Sequence, residues 1–113
     1  MKTIIAGSRN ITDYQMVVNA IEACPWNVTT IISGNARGVD TLAIRYAKEH
    51  NINVEIYPAN WERDGKSAGY KRNTVMAFKA EALIALWDGH SVGTKHMIDT
   101  AKKFNLSTFI VRN

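Results

Sequence analysis

The chain has 113 residues, of which 46% are hydrophobic and 21% are charged, a balance that argues against disorder and indicates one globular domain over residues 1–113. No apolar run approaches the roughly 18 residues that a membrane-spanning helix needs, and a lone cysteine, Cys24, excludes an internal disulfide and a cysteine-based metal cage. The formal net charge of +4 favours anionic partners such as nucleotides, nucleic acid or phosphorylated metabolites. We expect a cytoplasmic protein that needs no metal and no other cofactor.

The hydrophobic pattern predicts strands that alternate with helices along the whole chain. Apolar, β-branched runs that end in Gly, Pro or polar residues predict the strands, at residues 2–6, 28–33, 54–57, 82–87 and 107–111. Apolar residues at helical spacing predict four helices. The first runs from residue 14 and ends before Pro25, the second runs from residue 39 to near residue 50, the third covers residues 70–79, and the fourth has its apolar residues between 97 and 104. The polar stretch 59–69 has no clear period. We therefore predict a three-layer, Rossmann-like α/β fold: a five-stranded parallel sheet of order 3-2-1-4-5, with helices on both faces and strands buried on both sides.

The carboxyl ends of the strands are the predicted location of a ligand site. In an open α/β sheet, ligands bind where the strand order reverses, which here lies between the first and fourth strands. Glycines and polar residues cluster in three loops at these ends, at residues 7–9, 33–40 and 88–94, and each loop precedes a helix. A helix N-terminus offers free backbone N–H groups, and glycine lets a phosphate approach them. Any one of these glycines is equally consistent with a tight turn, but the three loops together favour a nucleotide or sugar-phosphate site.

Four blocks of residues carry a resemblance to a known family. They occur in the order Gly7-Ser8-Arg9, Ser33-Gly34-x-Ala36-Arg37-Gly38-Val39-Asp40, Gly69-Tyr70-Lys71-Arg72-Asn73 and Asp88-Gly89-x-Ser91-x-Gly93-Thr94. Together they resemble the YspA-like branch of the SLOG superfamily, which is named for the DNA-processing Smf proteins and the LOG nucleotide hydrolases. The resemblance covers nearly the whole chain. It implies a Rossmann-like domain that binds nucleotides or nucleotide-derived ligands, including ADP-ribose derivatives, and it makes a homodimer or higher homo-oligomer a candidate assembly.

The candidate ligand-binding residues come from these blocks. They are Gly7, Ser8, Arg9, Ser33, Gly34, Arg37, Gly38, Asp40, Arg72, Asn73, Asp88, Ser91, Gly93 and Thr94. The planar donor fork of arginine suits phosphate, so Arg9 and Arg72 are candidates to hold one. The alternatives are a surface salt bridge for Arg9 and an exposed helix arginine for Arg72. The carboxylate of Asp40 either accepts bonds from ribose hydroxyls or stabilises a helix N-terminus.

Catalysis is the point at which the chain departs from the pattern of the LOG hydrolases. Arg72 matches their arginine on the third helix, and Gly93-Thr94 match their Gly-Thr pair. The position of their glutamate is occupied here by Met97, which can neither stabilise an oxocarbenium ion nor orient water. The remaining catalytic candidates are Arg72, Asp88 and Asp99. We therefore favour a sensing or sequestering module, with a nucleoside-monophosphate N-glycosidase and a single-stranded nucleic-acid binder as alternatives.

Trp61 lies in the stretch without a clear period, shortly after Pro58. Two interpretations of this residue are open. It either stacks on a nucleobase as part of a lid or anchors the loop to the hydrophobic core. Trp26 and Trp87 are predicted to be packing residues.

Overall fold

The computed structural model describes residues 1–113 and places five parallel strands in one sheet. In chain order the strands are β1 (Lys2–Gly7), β2 (Thr30–Ser33), β3 (Asn53–Ile56), β4 (Ala82–Trp87) and β5 (Ser107–Arg112). Their order in the sheet is β3-β2-β1-β4-β5, which confirms the predicted topology. The neighbouring strands β1 and β4 pair in parallel, with Ile5 opposite Ile84. The strand order reverses between these two strands.

The helices cover both faces of this sheet. They are α1 (Tyr14–Ala23), α2 (Val39–Glu49), α3 (Trp61–Asp64), α4 (Ala68–Lys79) and α5 (Val92–Lys103), with a 3₁₀ turn at Gly65–Ser67 between α3 and α4. Alternate residues of the central strands point to opposite faces. Ile5 and Ile84 therefore pack with α1 and α2, whereas Ile4 and Leu83 pack with α4 and α5. No helix has the length and the apolar character needed to cross a bilayer.

The edge strands correct one expectation. The central strands β1 and β4 are buried on both faces as predicted, but no residue of β3 or β5 is fully buried. Ile56 of β3 and Ile110 of β5 are both exposed. An apolar run predicts a buried strand only where helices cover both of its faces, and here the helices pack mainly over the middle of the sheet.

The stretch 59–69 is more regular than the sequence pattern predicts. The side chain of Asn60 accepts a hydrogen bond from the backbone N–H of Arg63 at 3.0 Å and caps α3. Ser67 Oγ then donates to the carbonyl of Asp64 at 2.9 Å, and α4 begins at Ala68 instead of residue 70. Helical segments of three or four residues are too short to produce a hydrophobic period, so local hydrogen bonds decide their formation.

Four strands also differ from the prediction by one or two residues at their ends. β1 and β5 each extend one residue further than predicted, to Gly7 and Arg112. β2 begins at Thr30 instead of residue 28, because its ladder with β1 starts at the pair Lys2 and Thr30. β3 covers Asn53–Ile56, one residue earlier than predicted.

Candidate functional site

A cavity of about 520 Å³ opens at the carboxyl ends of the strands, beside the point where the strand order reverses. Its size is within the range of small-molecule sites, roughly 300–1,000 Å³. Residues from β1, α2, α4 and the loop before α5 meet there. The sequence-predicted residues that line it are Gly7, Ser8, Arg9, Asp40, Arg72, Asn73, Asp88, Ser91, Gly93 and Thr94.

Two further predicted residues lie behind the cavity surface and support it. Ser33 Oγ is buried and donates to the carbonyl of Asp40 at 3.0 Å, which ties the end of β2 to the first turn of α2. The carbonyl of Gly34 accepts from Arg72 Nη1 at 2.8 Å. A side chain at Gly34 would overlap this guanidinium, since an added Cβ would lie 2.6 Å from Arg72 Cζ. Ser33 and Gly34 therefore position Asp40 and Arg72 instead of facing the cavity.

Three predicted residues lie elsewhere. Arg37 is exposed and does not line the cavity, and Gly38 is the N-cap of α2 with a φ of 78°, a left-handed conformation that glycine adopts without strain. Asp99 is exposed on α5, and its carboxylate pairs with Lys95 Nζ at 2.7 Å. The structure therefore leaves Asp99 outside the candidate site, and no catalytic role in this cavity follows for it.

One side of the cavity, which we call the loop wall, consists of residues 7–10 and 88–94. Ser8 is buried, and its hydroxyl oxygen accepts a hydrogen bond from the backbone N–H of Asp88 at 3.2 Å. Asp88 Oδ1 in turn accepts from the backbone N–H groups of His90 at 2.8 Å and Ser91 at 2.7 Å. These bonds hold the pKa of Asp88 below its usual range, so the carboxylate is ionised and acts as an acceptor.

The N-terminus of α5 completes the loop wall. Ser91 Oγ accepts from the backbone N–H of Thr94 at 3.4 Å and lies 3.1 Å from the Thr94 hydroxyl. Gly93 faces open space, because a Cβ added there would meet no atom within 4 Å. The positive end of a twelve-residue helix and an unobstructed backbone thus meet the cavity at one place.

The other side, which we call the helix wall, consists of the cavity-lining residues between Trp61 and Asn73: Trp61, Lys66, Gly69, Tyr70, Arg72 and Asn73. Arg72 Nε donates to Asn73 Oδ1 at 3.0 Å, while its Nη1 is bonded to Gly34. The amide nitrogen of Asn73 lies 3.1 Å from His96 Nδ1 and donates to it when that ring nitrogen is unprotonated. Burial lowers the pKa of His96, which favours this neutral form. Arg72 is therefore held between β2 and α5 by side-chain and backbone bonds.

The charges around the cavity are predominantly positive. Asp40 is 5% exposed, and its Oδ2 accepts from the backbone N–H of Ala36 at 3.2 Å. Burial raises the pKa of Asp40 to about 6, although Arg72 and Arg9 both favour its ionised form. Neither arginine has a carboxylate oxygen within ion-pair distance, and Lys66 adds a third cation to the lining. Three cationic side chains thus face two carboxylates, an arrangement that suits a ligand carrying negative charge.

Several lining residues were absent from the predicted set. They are Ala6, Asn10, Ala36, Trp61, Lys66, Gly69, Tyr70, Met76 and Met97. Tyr70 stands inside the Gly69–Asn73 block, two residues before the candidate Arg72, and this position was a usable signal. Trp61 is 54% exposed and lines the cavity, which shows that the interpretation as a core anchor was wrong. No group of three or more His, Cys, Asp or Glu side chains is arranged to hold a metal ion.

Similarity to known proteins identifies the family and the fold of the chain. The model of the YspA, cpYpsA-related SLOG family (YAcAr) matches residues 1–63, more than half of the chain. The chain belongs to this SLOG family. The match includes the loop after β1, the first turn of α2 and Trp61, whereas Arg72 and residues 88–94 lie beyond it.

One relative and one solved structure extend the likeness to the rest of the chain. The Gene 61 protein of Mycobacterium phage D29 is 32% identical over 112 residues, covering 90% of this chain and 89% of that protein. The X-ray structure of DNA processing protein A (DprA) from Streptococcus pneumoniae is similar in fold, with a TM-score of 0.77 and 20% sequence identity. It matches 99% of this chain, which spans 50% of the DprA chain, and at this identity the likeness concerns the fold alone.

Proposed function

We propose that this domain, over residues 1–113, binds a nucleotide or a nucleotide-derived ligand in the cavity at the carboxyl ends of its strands. The ligand class is a nucleoside monophosphate or an ADP-ribose-type molecule, and the role is sensing or sequestration. A SLOG family member with a DprA-like fold suits a nucleotide-related role. The cytoplasmic location and the homo-oligomer expected from the sequence stay predictions attached to this proposal.

The observation that carries the proposal is that two guanidinium groups without an ion-pair partner meet a helix N-terminus in one cavity. Arg9 is exposed and Arg72 is half-buried, and both line the same cavity as Ser91 and Gly93 of the loop wall. A phosphate placed there meets charged donors from the side chains and neutral N–H donors from α5. The hydrogen bonds to Gly34 and Asn73 fix the position of the Arg72 side chain, which distinguishes it from a freely moving surface arginine.

The lining also bears on the alternative of N-glycosidic hydrolysis. Met97 is buried and lines the cavity, and it supplies neither a proton nor a negative charge. The ionised Asp88 is committed to two backbone N–H groups, which leaves it poorly suited to donate a proton. Binding without turnover therefore fits the described residues better than hydrolysis.

Nucleic-acid binding is a second candidate function, supported by the net charge of +4 and by the fold shared with a protein named for DNA processing. Such binding depends strongly on salt, because each phosphate contact releases counterions. Affinity for a single-stranded oligonucleotide that falls at least tenfold between about 50 and 200 mM salt would favour this candidate. A free mononucleotide that binds with comparable strength would favour the small-ligand site.

Thermal unfolding with AMP, GMP, CMP, NMN and ADP-ribose tests the leading proposal. A ligand at about 100 times its Kd stabilises the fold by roughly 2.7 kcal/mol, which raises Tm by on the order of 10 °C in a domain of this size. Arg72→Ala should weaken binding about tenfold or more, because it removes a charged donor from the cavity. Lys71→Ala is the matched control, since Lys71 lies next in sequence, pairs with Asp64 and does not line the cavity.

Three results distinguish the possibilities. A Tm shift that is lost in Arg72→Ala, kept in Lys71→Ala and accompanied by intact ligand on chromatography would support binding. A shift accompanied by free base would show hydrolysis and overturn the sensing or sequestering role. No shift with any of the five compounds at millimolar concentration would reject a nucleotide site of this class.

A further inference from the structure

Two aromatic side chains of the helix wall face the cavity while remaining open to solvent. Trp61 is 54% exposed and Tyr70 is 43% exposed, and both line the cavity. Gly69 lies beside the indole, because a Cβ added to Gly69 would be 3.8 Å from Trp61 Cη2. Two aromatic side chains at the mouth of a polar cavity offer a ligand an apolar surface beside the charged lining.

Trp61 differs in its hydrogen bonding from the two other tryptophans. The indole N–H of Trp26 donates to Thr3 Oγ1 at 3.1 Å, and that of Trp87 donates to the carbonyl of Ser91 at 3.0 Å. Both of those rings also pack against the hydrophobic core. The indole N–H of Trp61 has no acceptor in the protein, and α3 contributes no buried residue. The fold therefore makes little use of Trp61, either for packing or for hydrogen bonding.

Tyr70 is held in place from one side. Its ring packs against His96 in a tilted arrangement, with the centroids 4.3 Å apart and the planes at 32°. Because His96 is itself bonded to Asn73, the orientation of Tyr70 is linked to the network that holds Arg72. No other aromatic ring covers the second face of Tyr70.

We propose that Trp61 and Tyr70 form the nucleobase-binding surface of this cavity. The inference rests on the proposed function and makes it more specific: the phosphate lies at the loop wall, and the planar base stacks against the helix wall. The site therefore selects phosphates that carry an aromatic base over a bare sugar phosphate. Stacking tolerates different bases because every base has a π face, so AMP and CMP both fit this surface.

Titration calorimetry with AMP, CMP and ribose 5-phosphate tests the proposal on the full chain. Trp61→Ala should weaken AMP binding about tenfold or more, since stacking on one aromatic residue contributes that much to binding a base. The same variant should leave ribose 5-phosphate affinity within about twofold. Trp61→Phe keeps an aromatic face and should recover most of the AMP affinity.

Phe78→Ala is the matched control variant. Phe78 is an aromatic residue of α4 that is 75% exposed and does not line the cavity, so its removal should change neither affinity. Thermal unfolding of each variant without ligand verifies that the fold is intact.

The outcomes separate this inference from the function on which it rests. The proposal stands if Trp61→Ala lowers AMP and CMP affinity selectively while Phe78→Ala does not. If AMP binds the wild type but Trp61→Ala binds it equally well, the base-binding surface is rejected and the nucleotide site survives. The same holds if ribose 5-phosphate binds the wild type as tightly as AMP does. If the wild type binds none of the three probes, the base-binding surface is rejected, and the nucleotide site is rejected with it if GMP, NMN and ADP-ribose also fail to bind.

Discussion

The two walls of the cavity are stabilised in different ways. The loop wall is built from buried polar groups: Ser8 and Thr94 are both buried, and hydrogen bonds connect Ser8 with Asp88 and Ser91 with Thr94. The helix wall presents exposed rings, and its α3 segment buries no residue. Folding therefore determines the geometry of the loop wall, whereas much of the helix wall adds little to stability and remains available for contact with a ligand.

Arg72 and Asp40 connect the two walls. Arg72 is a cation of the helix wall, and its guanidinium donates hydrogen bonds to the carbonyl of Gly34 and to the side chain of Asn73. The positive charges of Arg72 and of Arg9, from the loop wall, both favour the ionised form of Asp40. Changes at Asp40 should therefore alter the electrostatics of the whole cavity, whereas changes within one wall should have local effects.

The largest expected effect is a change in the pH dependence of stability in Asp40→Asn. The pKa of Asp40 is about 6 in the folded protein, against roughly 3.9 in an unfolded chain. The carboxyl group of Asp40 thus holds its proton more tightly in the folded state than in the unfolded state. Above pH 7, ionisation of Asp40 therefore lowers the free energy of unfolding by about 3 kcal/mol. This loss of stability disappears as the pH falls to about 4. The asparagine keeps an oxygen that can accept from Ala36.

Urea unfolding of both proteins between pH 4 and pH 8 measures this effect. The free energy of unfolding of Asp40→Asn should exceed that of the wild type at pH 7.5, and the two values should converge near pH 4. Taking the difference between the proteins cancels the carboxylates with lowered pKa values, such as Asp88, which act in the opposite direction. Equal pH profiles would show that Asp40 ionises without cost and would contradict the buried, charge-coupled site described above.

A smaller effect is expected in Ser8→Ala, which tests the loop wall directly. The substitution removes the acceptor for the Asp88 N–H at a buried position and should lower the free energy of unfolding by about 1–2 kcal/mol. Trp61→Ala, at the opposite wall, should change it by less than about 0.5 kcal/mol. Chemical denaturation of the two variants compares the walls. A greater loss of stability from Trp61→Ala than from Ser8→Ala would reverse the distinction between them.

The smallest effect, with the opposite sign, is expected in Gly93→Ala. An alanine Cβ fits in open space within α5 and should raise the free energy of unfolding by about 0.5 kcal/mol, because alanine favours helix more than glycine does. The same methyl group would obstruct a phosphate at the helix N-terminus, so AMP affinity should fall although the protein becomes more stable. Unchanged AMP affinity in a stabilised Gly93→Ala protein would place the phosphate elsewhere in the cavity.

The placement of the candidate site illustrates how much could be predicted from the sequence. Alternating strand and helix patterns, with glycines at the strand ends, predicted the strand order and the region in which Ser8, Arg72 and Gly93 come together. Asp99 shows the opposite case. It is close in sequence to the Gly93–Thr94 pair, but the helical rotation carries it to an exposed face where it pairs with Lys95. Proximity along a helix does not determine which face a residue occupies.

Trp61 and Tyr70 show a further limit of sequence reasoning. Each belongs to a recognisable stretch, but neither carries a local signal that distinguishes a ring packed in the core from a ring open to a cavity. Only the packing of α3 and α4 against the rest of the protein leaves these two rings uncovered. The same applies to the edge strands β3 and β5, whose apolar residues resemble those of central strands although the helices cover them less completely.

The sequence by itself determined the number and order of the strands, the end of the sheet that bears the polar loops, and the positive charge of the molecule. These properties depend on local hydrophobic periodicity, on turn residues and on composition, and each of these can be read from the sequence without the fold. Tertiary structure alone decided that Asp40 is buried beside two arginines, that Gly34 leaves room for Arg72, and that the indole of Trp61 faces the cavity. Each of these depends on atoms from distant segments, and burial and electrostatic coupling arise only when folding brings those segments together.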